Sequence, residues 1–203
     1  MKKLCVGIVS VLLMAALLFP TSSNAAEGLL LGLAGGVVVP TEGDKDNVGG
    51  ASYLDLGYGI TKNFMVGGYF GGDFGSYKES GISGQHEATV NWSVPYLGVY
   101  ARFNYPIGES LEPYANIGLG AYIPTASGSG EWSWVDAHGV THHESINVKG
   151  SDDAEFGLKV GGGLNWFLGK SKKWFIGPEI AYHWVNDGGL FEGMFKFGYQ
   201  WKK

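Results

Sequence analysis

The sequence predicts an all-β chain: an eight-stranded antiparallel up-and-down transmembrane β-barrel. Two patterns along the chain and its composition predict it. Apolar residues alternate at period two with small or polar ones over about eight segments, and the second set is poor in charge. Short connectors alternate with long ones, as in barrels whose turns lie on one side of a membrane and whose loops lie on the other. Glycine is abundant, at 35 of 203 residues, while charged residues make up only 16% and aromatics 14%. Glycine without a three-residue period, spread among evenly distributed aromatics, fits neither collagen nor a flexible linker.

The first 25 residues read as an address. Lys2 and Lys3 precede an apolar run from Leu4 to Phe19, and Ser23-Asn24-Ala25 supplies the small residues of a cleavage site. The expected organisation is a signal peptide over 1–25 and one barrel domain over 26–203, with the cut after Ala25 or Ala26. The apolar run falls short of the ~20 residues of a spanning helix. Cys5, the only cysteine, lies in the leader, so the mature chain has neither a disulfide nor a thiolate nucleophile. Losing Lys2 and Lys3 leaves 12 basic against 19 acidic side chains, a net charge of −7. That balance lacks the basic stripe of a nucleic-acid-binding surface.

The strands follow in order. Residues 28–39 ("GLLLGLAGGVVV") form a less clearly alternating first strand. In 50–60, Leu54, Leu56, Tyr58 and Ile60 alternate with Tyr53, Asp55, Gly57 and Gly59. "FMVGGYFGGDFG" (64–75) sets Phe64, Val66, Phe70 and Phe74 against Gly67, Gly71, Asp73 and Gly75. The glycines of this stretch mark a wall whose inner side has to accommodate large neighbours. The fourth strand sets Leu97, Val99 and Phe103 against Tyr96, Gly98, Tyr100 and Arg102, and the fifth sets Ile117 and Leu119 against Tyr114, Asn116 and Tyr122. Residues 154–168 place Phe156, Val160 and Trp166 opposite Glu155, Lys159 and Asn165. Trp174, Ile180 and Trp184 then oppose Glu179 and His183, and Phe191, Phe195, Phe197 and Trp201 oppose Glu192, Lys196 and Gln200. A soluble β-sandwich or lipocalin-like barrel also alternates, but its water-facing set is rich in charge. Here that set is glycine, tyrosine and a few ions, which suits a narrow lumen.

The connectors "TKN", "PIGESLE" (106–112) and "GKSKK" (169–173) are short, whereas 40–49, 76–91 and 125–152 are long. "NDGG" (186–189) is a tight turn that departs from this trend. The charged runs "EGDKDN" (42–47) and "SYKESGISGQHE" (76–87) read as solvated loops.

With its signal peptide, strand pattern, connector alternation and aromatic last strand ("GMFKFGYQW", 193–201), the chain resembles the small outer-membrane β-barrel proteins of Gram-negative bacteria, the OmpA/OmpX/OmpW-like group. The resemblance covers 28–203 and is architectural. It implies residence in the bacterial outer membrane, contact with lipid and lipopolysaccharide, and delivery by the outer-membrane assembly machinery. The chain departs from many members by adding Lys202 and Lys203 after the terminal aromatic Trp201.

The inward set predicts a lumen network of Asp55, Asp73, Glu155, Glu179 and Glu192 with Arg102, Lys159, Lys196 and His183. In an interior just wide enough for side chains to fill, such charges pair and fix strand register. A narrow porin-like channel is the alternative use of the same residues. In the third long connector, "EWSWVDAHGVTHHESINV", a turn near His138-Gly139 would pair Trp132 and Trp134 across to His142 and His143. Trp132, Trp134, His138, His142 and His143 are therefore candidates for contact with headgroups, sugars or a partner, and their spacing fits no standard metal signature. "HWVND" (183–187) is similar in placement to the His-x-Ser-Asn motif of outer-membrane lipid A deacylases. His183 and Asn186 match, but Val185 stands where the serine nucleophile would, and valine cannot attack an acyl carbon. The expected function is non-enzymatic, without cofactor or metal: a structural role, surface interaction or passage of small molecules, whose ligand stays open.

Overall fold

The computed structural model describes the backbone of residues 28–41, 48–80, 86–135, 138, 140–150, 153–185 and 188–202, with side chains described outside 78–80, 86–88, 129–135, 141–149 and 202. The expected leader and the run 42–47 lie outside the described residues. The described chain forms β1 (Gly28–Pro40), β2 (Gly49–Gly59), β3 (Phe64–Ser80), β4 (His86–Asn104), β5 (Leu111–Tyr122), β6 (Thr125–Val135), β7 (Thr141–Lys149), β8 (Glu155–Leu168), β9 (Trp174–Val185) and β10 (Gly188–Lys202).

Eight of these strands close a barrel. The pairing runs β3-β2-β1-β10-β9-β8-β5-β4 and returns through β4 to β3, antiparallel throughout. The first and last strands meet along their whole length, from Gly28 opposite Lys202 to Pro40 opposite Leu190. Closure leaves no unpaired edge among the wall strands, which a structure surrounded by hydrocarbon requires.

The alternation gives each face its expected chemistry. Leu54, Leu56, Phe70, Leu97, Val99, Ile180 and Phe195 lie exposed on the outside, while Tyr53, Asp55, Tyr69, Tyr100, Arg102, Lys159 and Lys196 are buried within. Trp174 and Trp184 stand ten positions apart on β9. At ~3.3 Å per residue and a tilt of ~40° they bracket about 25 Å, the height of an outer-membrane apolar band.

The opening glycines of β3 show why this wall is so rich in them. A Cβ on Gly67 would strike the Leu56 carbonyl and the Tyr100 ring, and one on Gly75 would meet the Trp92 indole at 2.6 Å. The same relation recurs around the wall, where a Cβ on Gly98 would strike the Tyr69 ring and one on Gly157 would meet the Tyr122 ring at 2.6 Å. Large tyrosines thus lie flat against bare backbone on neighbouring strands, and the interior fills without widening.

One connector differs from expectation and another goes further than expected. The segment 76–87 is mostly strand: β3 runs on to Ser80, and β4 starts at His86 and pairs with it as far as Glu87 opposite Ser80. The connector 125–152 holds the expected hairpin, β7 pairing to β6 with Trp134 opposite His142, and β6 also pairs to the upper half of β4. Together β3, β4, β6 and β7 form a sheet that continues the wall beyond the barrel on one side. The pairing to β2 stops at Phe74, whereas β4 leaves β5 at Tyr96 and takes up β6 from Ser93.

Beyond the barrel the chemistry of the two faces inverts. The outer face passes from Phe74 to Ser76, from Leu97 past Pro95 to Ser93, Asn91 and Thr89, and from Ile123 to Thr125 and Ser127. Ser93 and Thr125 hydrogen-bond across the strands at 2.7 Å on that face. The inner face passes from Asp73 to Tyr77 and from Tyr96 to Val94, Trp92 and Val90. An outward face rich in hydroxyls does not face hydrocarbon, so the lipid band ends near Phe74 and Ile123. This inversion hid the strands: the period is unbroken, but the sign of the outer set flips.

Candidate functional site

The lumen is filled in tiers. At the end carrying the short turns, Leu30, Met65, Phe167 and Phe175 are buried with Asn104, Glu112, Asn165 and Gln200. The Phe167 and Phe175 rings meet at a tilt of 58°, their centres 5.8 Å apart. At the other end Val38, Val94, Val185 and Leu190 are buried, and Trp92 packs over them. Between these layers lies a network of ions and tyrosines.

Lys196 on β10 joins its two halves, with Nζ 2.9 Å from Asp55 Oδ2 and 2.7 Å from Glu179 Oε2. Asp55 also receives Arg102 Nη2 at 2.7 Å and the Tyr100 hydroxyl at 2.5 Å. Glu179 accepts the Tyr114 hydroxyl at 2.5 Å and has Lys159 Nζ at 3.5 Å. Both lysines and the arginine also lie over tyrosine faces: Lys159 is 4.2 Å from the Tyr53 ring centre and Arg102 is 4.4 Å from that of Tyr114. These contacts suit cations that have left water, since an unpaired buried charge is costly.

A second cluster centres on Glu192. His183 Nε2 lies 3.0 Å from its Oε2, Lys159 Nζ lies 4.0 Å away, and the Tyr96 hydroxyl donates to its Oε1 at 3.0 Å. The other imidazole nitrogen, Nδ1, meets the Tyr122 hydroxyl at 2.8 Å, and Tyr122 continues to Tyr69 at 3.3 Å. Asp73 sits beside Glu192, with neither of its oxygens in a well-aligned hydrogen bond.

Eight of the nine residues expected in the lumen are therefore buried there, and seven of them take part in these ion pairs and hydrogen bonds. Glu155 does not join them. It begins β8 opposite Tyr122, the last residue of β5, and is only half-buried, so it keeps access to water at the rim. Sequence reasoning also missed Glu112, which it assigned to a turn but which lies buried on β5, 3.3 Å from the Asn165 amide. It missed the apolar end layers too, because Phe167, Phe175, Val185 and Leu190 fall at strand ends where alternation is short.

A small space beside Asp55, Arg102, Asn116, Lys159 and Glu179 has a volume of about 10 Å³. That is near the minimum for one water molecule. Arg102 Nε, Asn116 Oδ1 and Glu179 Oε1 there have free hydrogen-bonding capacity, which one water could satisfy. Buried side chains of the end layers and of the ion network fill the described lumen around it.

In the outer hairpin, the register places Trp132 between His86 and Glu144 in one row, and Trp134 opposite His142. Alternation puts this row on the same face as Trp92. His143 pairs with Ser133 and falls on the opposite face from His142, while His138 lies in the turn, so the register does not bring the three histidines together. Among the described residues no group of His, Cys, Asp and Glu converges on a metal site. The side chains of Trp132, Trp134, His142 and His143 lie outside the described residues.

The crystal structure of Ail, the attachment invasion locus protein of Yersinia pestis, in complex with the heparin analogue sucrose octasulfate, is 18% identical to this chain. It covers 86% of this chain and 97% of that one, with a TM-score of 0.51. The outer-membrane protein OprG of Pseudomonas aeruginosa is 11% identical, covers 89% of this chain and 98% of that one, and has a TM-score of 0.53. At these identities the likeness is one of fold. No curated protein sequence matches the chain. The family described as "Outer membrane protein beta-barrel domain" matches residues 9–202, so the chain belongs to that family and is a β-barrel of the bacterial outer membrane.

Proposed function

We propose that this protein is a closed membrane anchor that presents a surface-interaction sheet outside the cell. The observation that carries the reading is the inversion of face chemistry where β3, β4, β6 and β7 leave the barrel, above a lumen filled by buried side chains. In water an antiparallel sheet with one polar face normally covers its other face. Here that face holds Tyr77, Val90 and Trp92, residues that suit stacking on a sugar ring or an apolar partner, and the strand paired beside them carries Trp132 opposite His86. Strand segments 76–80, 86–93, 125–135 and 141–149 contain Lys78 and Lys149 against Glu79, Glu87, Glu131 and Glu144. That acidic excess favours an uncharged partner over a sulfated saccharide such as the one bound to Ail.

The barrel sits among outer-membrane lipid and lipopolysaccharide, and its assembly requires the envelope's barrel-inserting machinery. An enzymatic role gains no support from the geometry: both nitrogens of His183 are engaged inside the wall, and Val185 is buried on the same inner face. Passage of small molecules would require the tiers around Lys196 to part.

The test replaces residues 124–152 by a short turn and compares adherence of expressing cells to immobilised neutral and sulfated saccharides. The truncated barrel, still heat-modifiable on gels, is expected to lose adherence to neutral saccharides, and the intact protein is expected to stay silent in planar bilayers. Adherence unchanged by the truncation, or stepwise conductance from the intact protein, would overturn the reading.

A further inference from the structure

The lipid-facing wall carries an apolar groove of about 540 Å³ where β8 and β9 meet, lined by Val160, Gly162, Leu164, Pro178, Ile180 and Phe191. Its origin is legible in those residues. Gly162 contributes no side chain to the outer face. Pro178 has no N–H to donate, and the β8–β9 pairing, continuous from Gly157 to Gly163, resumes only at Trp166 opposite Ile176. Across the next junction Gly193 stands opposite Ile180, so a second outward position is also bare. Ile180 and Phe191, both well exposed, form walls on either side of these gaps.

The groove opens onto the membrane within the band bracketed by Trp174 and Trp184, and it is continuous with the lipid interface of the barrel. Most of it, with Val160, Gly162, Ile180, Tyr182 and Phe191, lies in the half nearer Trp184, while Pro178 and Leu164 reach just past the middle. Tyr182 borders it there, and its hydroxyl reaches Thr41 at the outer end of the wall. That half belongs to the outer leaflet, where lipopolysaccharide supplies the acyl chains.

We propose that this groove seats one acyl chain of an outer-leaflet lipopolysaccharide molecule. The driving force is packing. Hydrocarbon gains nothing by leaving hydrocarbon, but a chain in a fitted groove touches more carbon atoms than a chain on a convex wall. No proton or charge takes part, and the lining is apolar almost throughout.

The test places a photoreactive residue at the groove rim and at a wall position outside it, as Phe191→p-benzoylphenylalanine and Phe70→p-benzoylphenylalanine, in the full-length protein in cells. About ten additional carbon contacts should favour the lipopolysaccharide adduct about fivefold at 191 over 70. Val160→Phe and Ile180→Trp each fill the groove from one wall, and either variant that still shows heat-modifiable folding should bring the yield at 191 down to that at 70. Equal yields at the two positions, or a yield at 191 unmoved by filling, would overturn the proposal. A phospholipid adduct in place of lipopolysaccharide, or an adduct of twice the chain's mass, would also overturn it, the latter by assigning the groove to a second copy.

Discussion

Lys196 is the residue on which the interior depends most, and Lys196→Met tests that dependence directly. Methionine keeps an unbranched stem of similar reach and removes only the ammonium, which lies 2.9 Å from Asp55 and 2.7 Å from Glu179. Each charge-assisted contact is worth about 1.5–3 kcal/mol when its partner stays buried. Asp55 keeps Arg102, and Glu179 keeps the Tyr114 hydroxyl and the more distant Lys159. The loss should therefore fall near the lower end of the ~3–5 kcal/mol found for breaking a buried pair. The assay is urea unfolding of the barrel in lipid vesicles followed by tryptophan fluorescence, with an unchanged slope and a lower midpoint. Adding Glu179→Gln removes the stranded carboxylate, so the double variant should be more stable than the sum of the two single losses by about 1 kcal/mol or more. A loss under ~1 kcal/mol for Lys196→Met, or simple additivity in the double variant, would refute the view that the network is desolvated and coupled.

The other predictions concern the wall. Gly67→Ala drives a methyl into the Leu56 carbonyl and the Tyr100 ring and should cost ~1–3 kcal/mol, whereas Gly68→Ala, whose Cβ finds its nearest neighbour at 3.4 Å, should stay within ~0.5 kcal/mol by the same unfolding assay. Phe70→Lys puts a charge on the lipid face and should cost up to ~2–4 kcal/mol in vesicles, declining towards the band edges. Planar bilayers containing the purified barrel should show no resolvable conductance steps, because the described cavity beside Asp55 and Lys159 is about 10 Å³.

The wall was legible because membrane and lumen impose opposite chemistry on alternate residues, and β2 alternates buried and exposed residues without a break from Ala51 to Gly59. The lumen charges could be named from the same alternation, since a residue between Leu54 and Leu56 can only face inward. Which charges pair was not legible: Lys196 meets Asp55 across 141 positions of sequence, and barrel stagger decides that meeting. Glu155 shares the inward alternation of Lys159 but starts its strand at the rim, and alternation carries no information about height. The extensions of β3 and β4 over 76–80 and 86–93 were read as loop for a related reason. Ser76, Asn91 and Ser127 occupy the positions that lower in the wall hold Phe74, Leu97 and Ile123, so a search for apolar outward residues stops where the lipid does.

That boundary is also the most direct test of the account. Cys5 is the only cysteine and precedes every barrel strand, so with Cys5→Ser single cysteines can be introduced at Phe70, Phe74, Ser76, Asn91, Leu97 and Ser127, spin-labelled and probed for collisions with oxygen and with a water-soluble nickel complex. The account predicts labels at 70, 74 and 97 that collide with oxygen and are shielded from nickel, and labels at 76, 91 and 127 with the reverse preference. Oxygen preference at 76, 91 and 127 would place the outer sheet inside the membrane. Shielding of 70 and 97 from both reagents would make them core residues of a soluble protein and contradict the barrel's orientation.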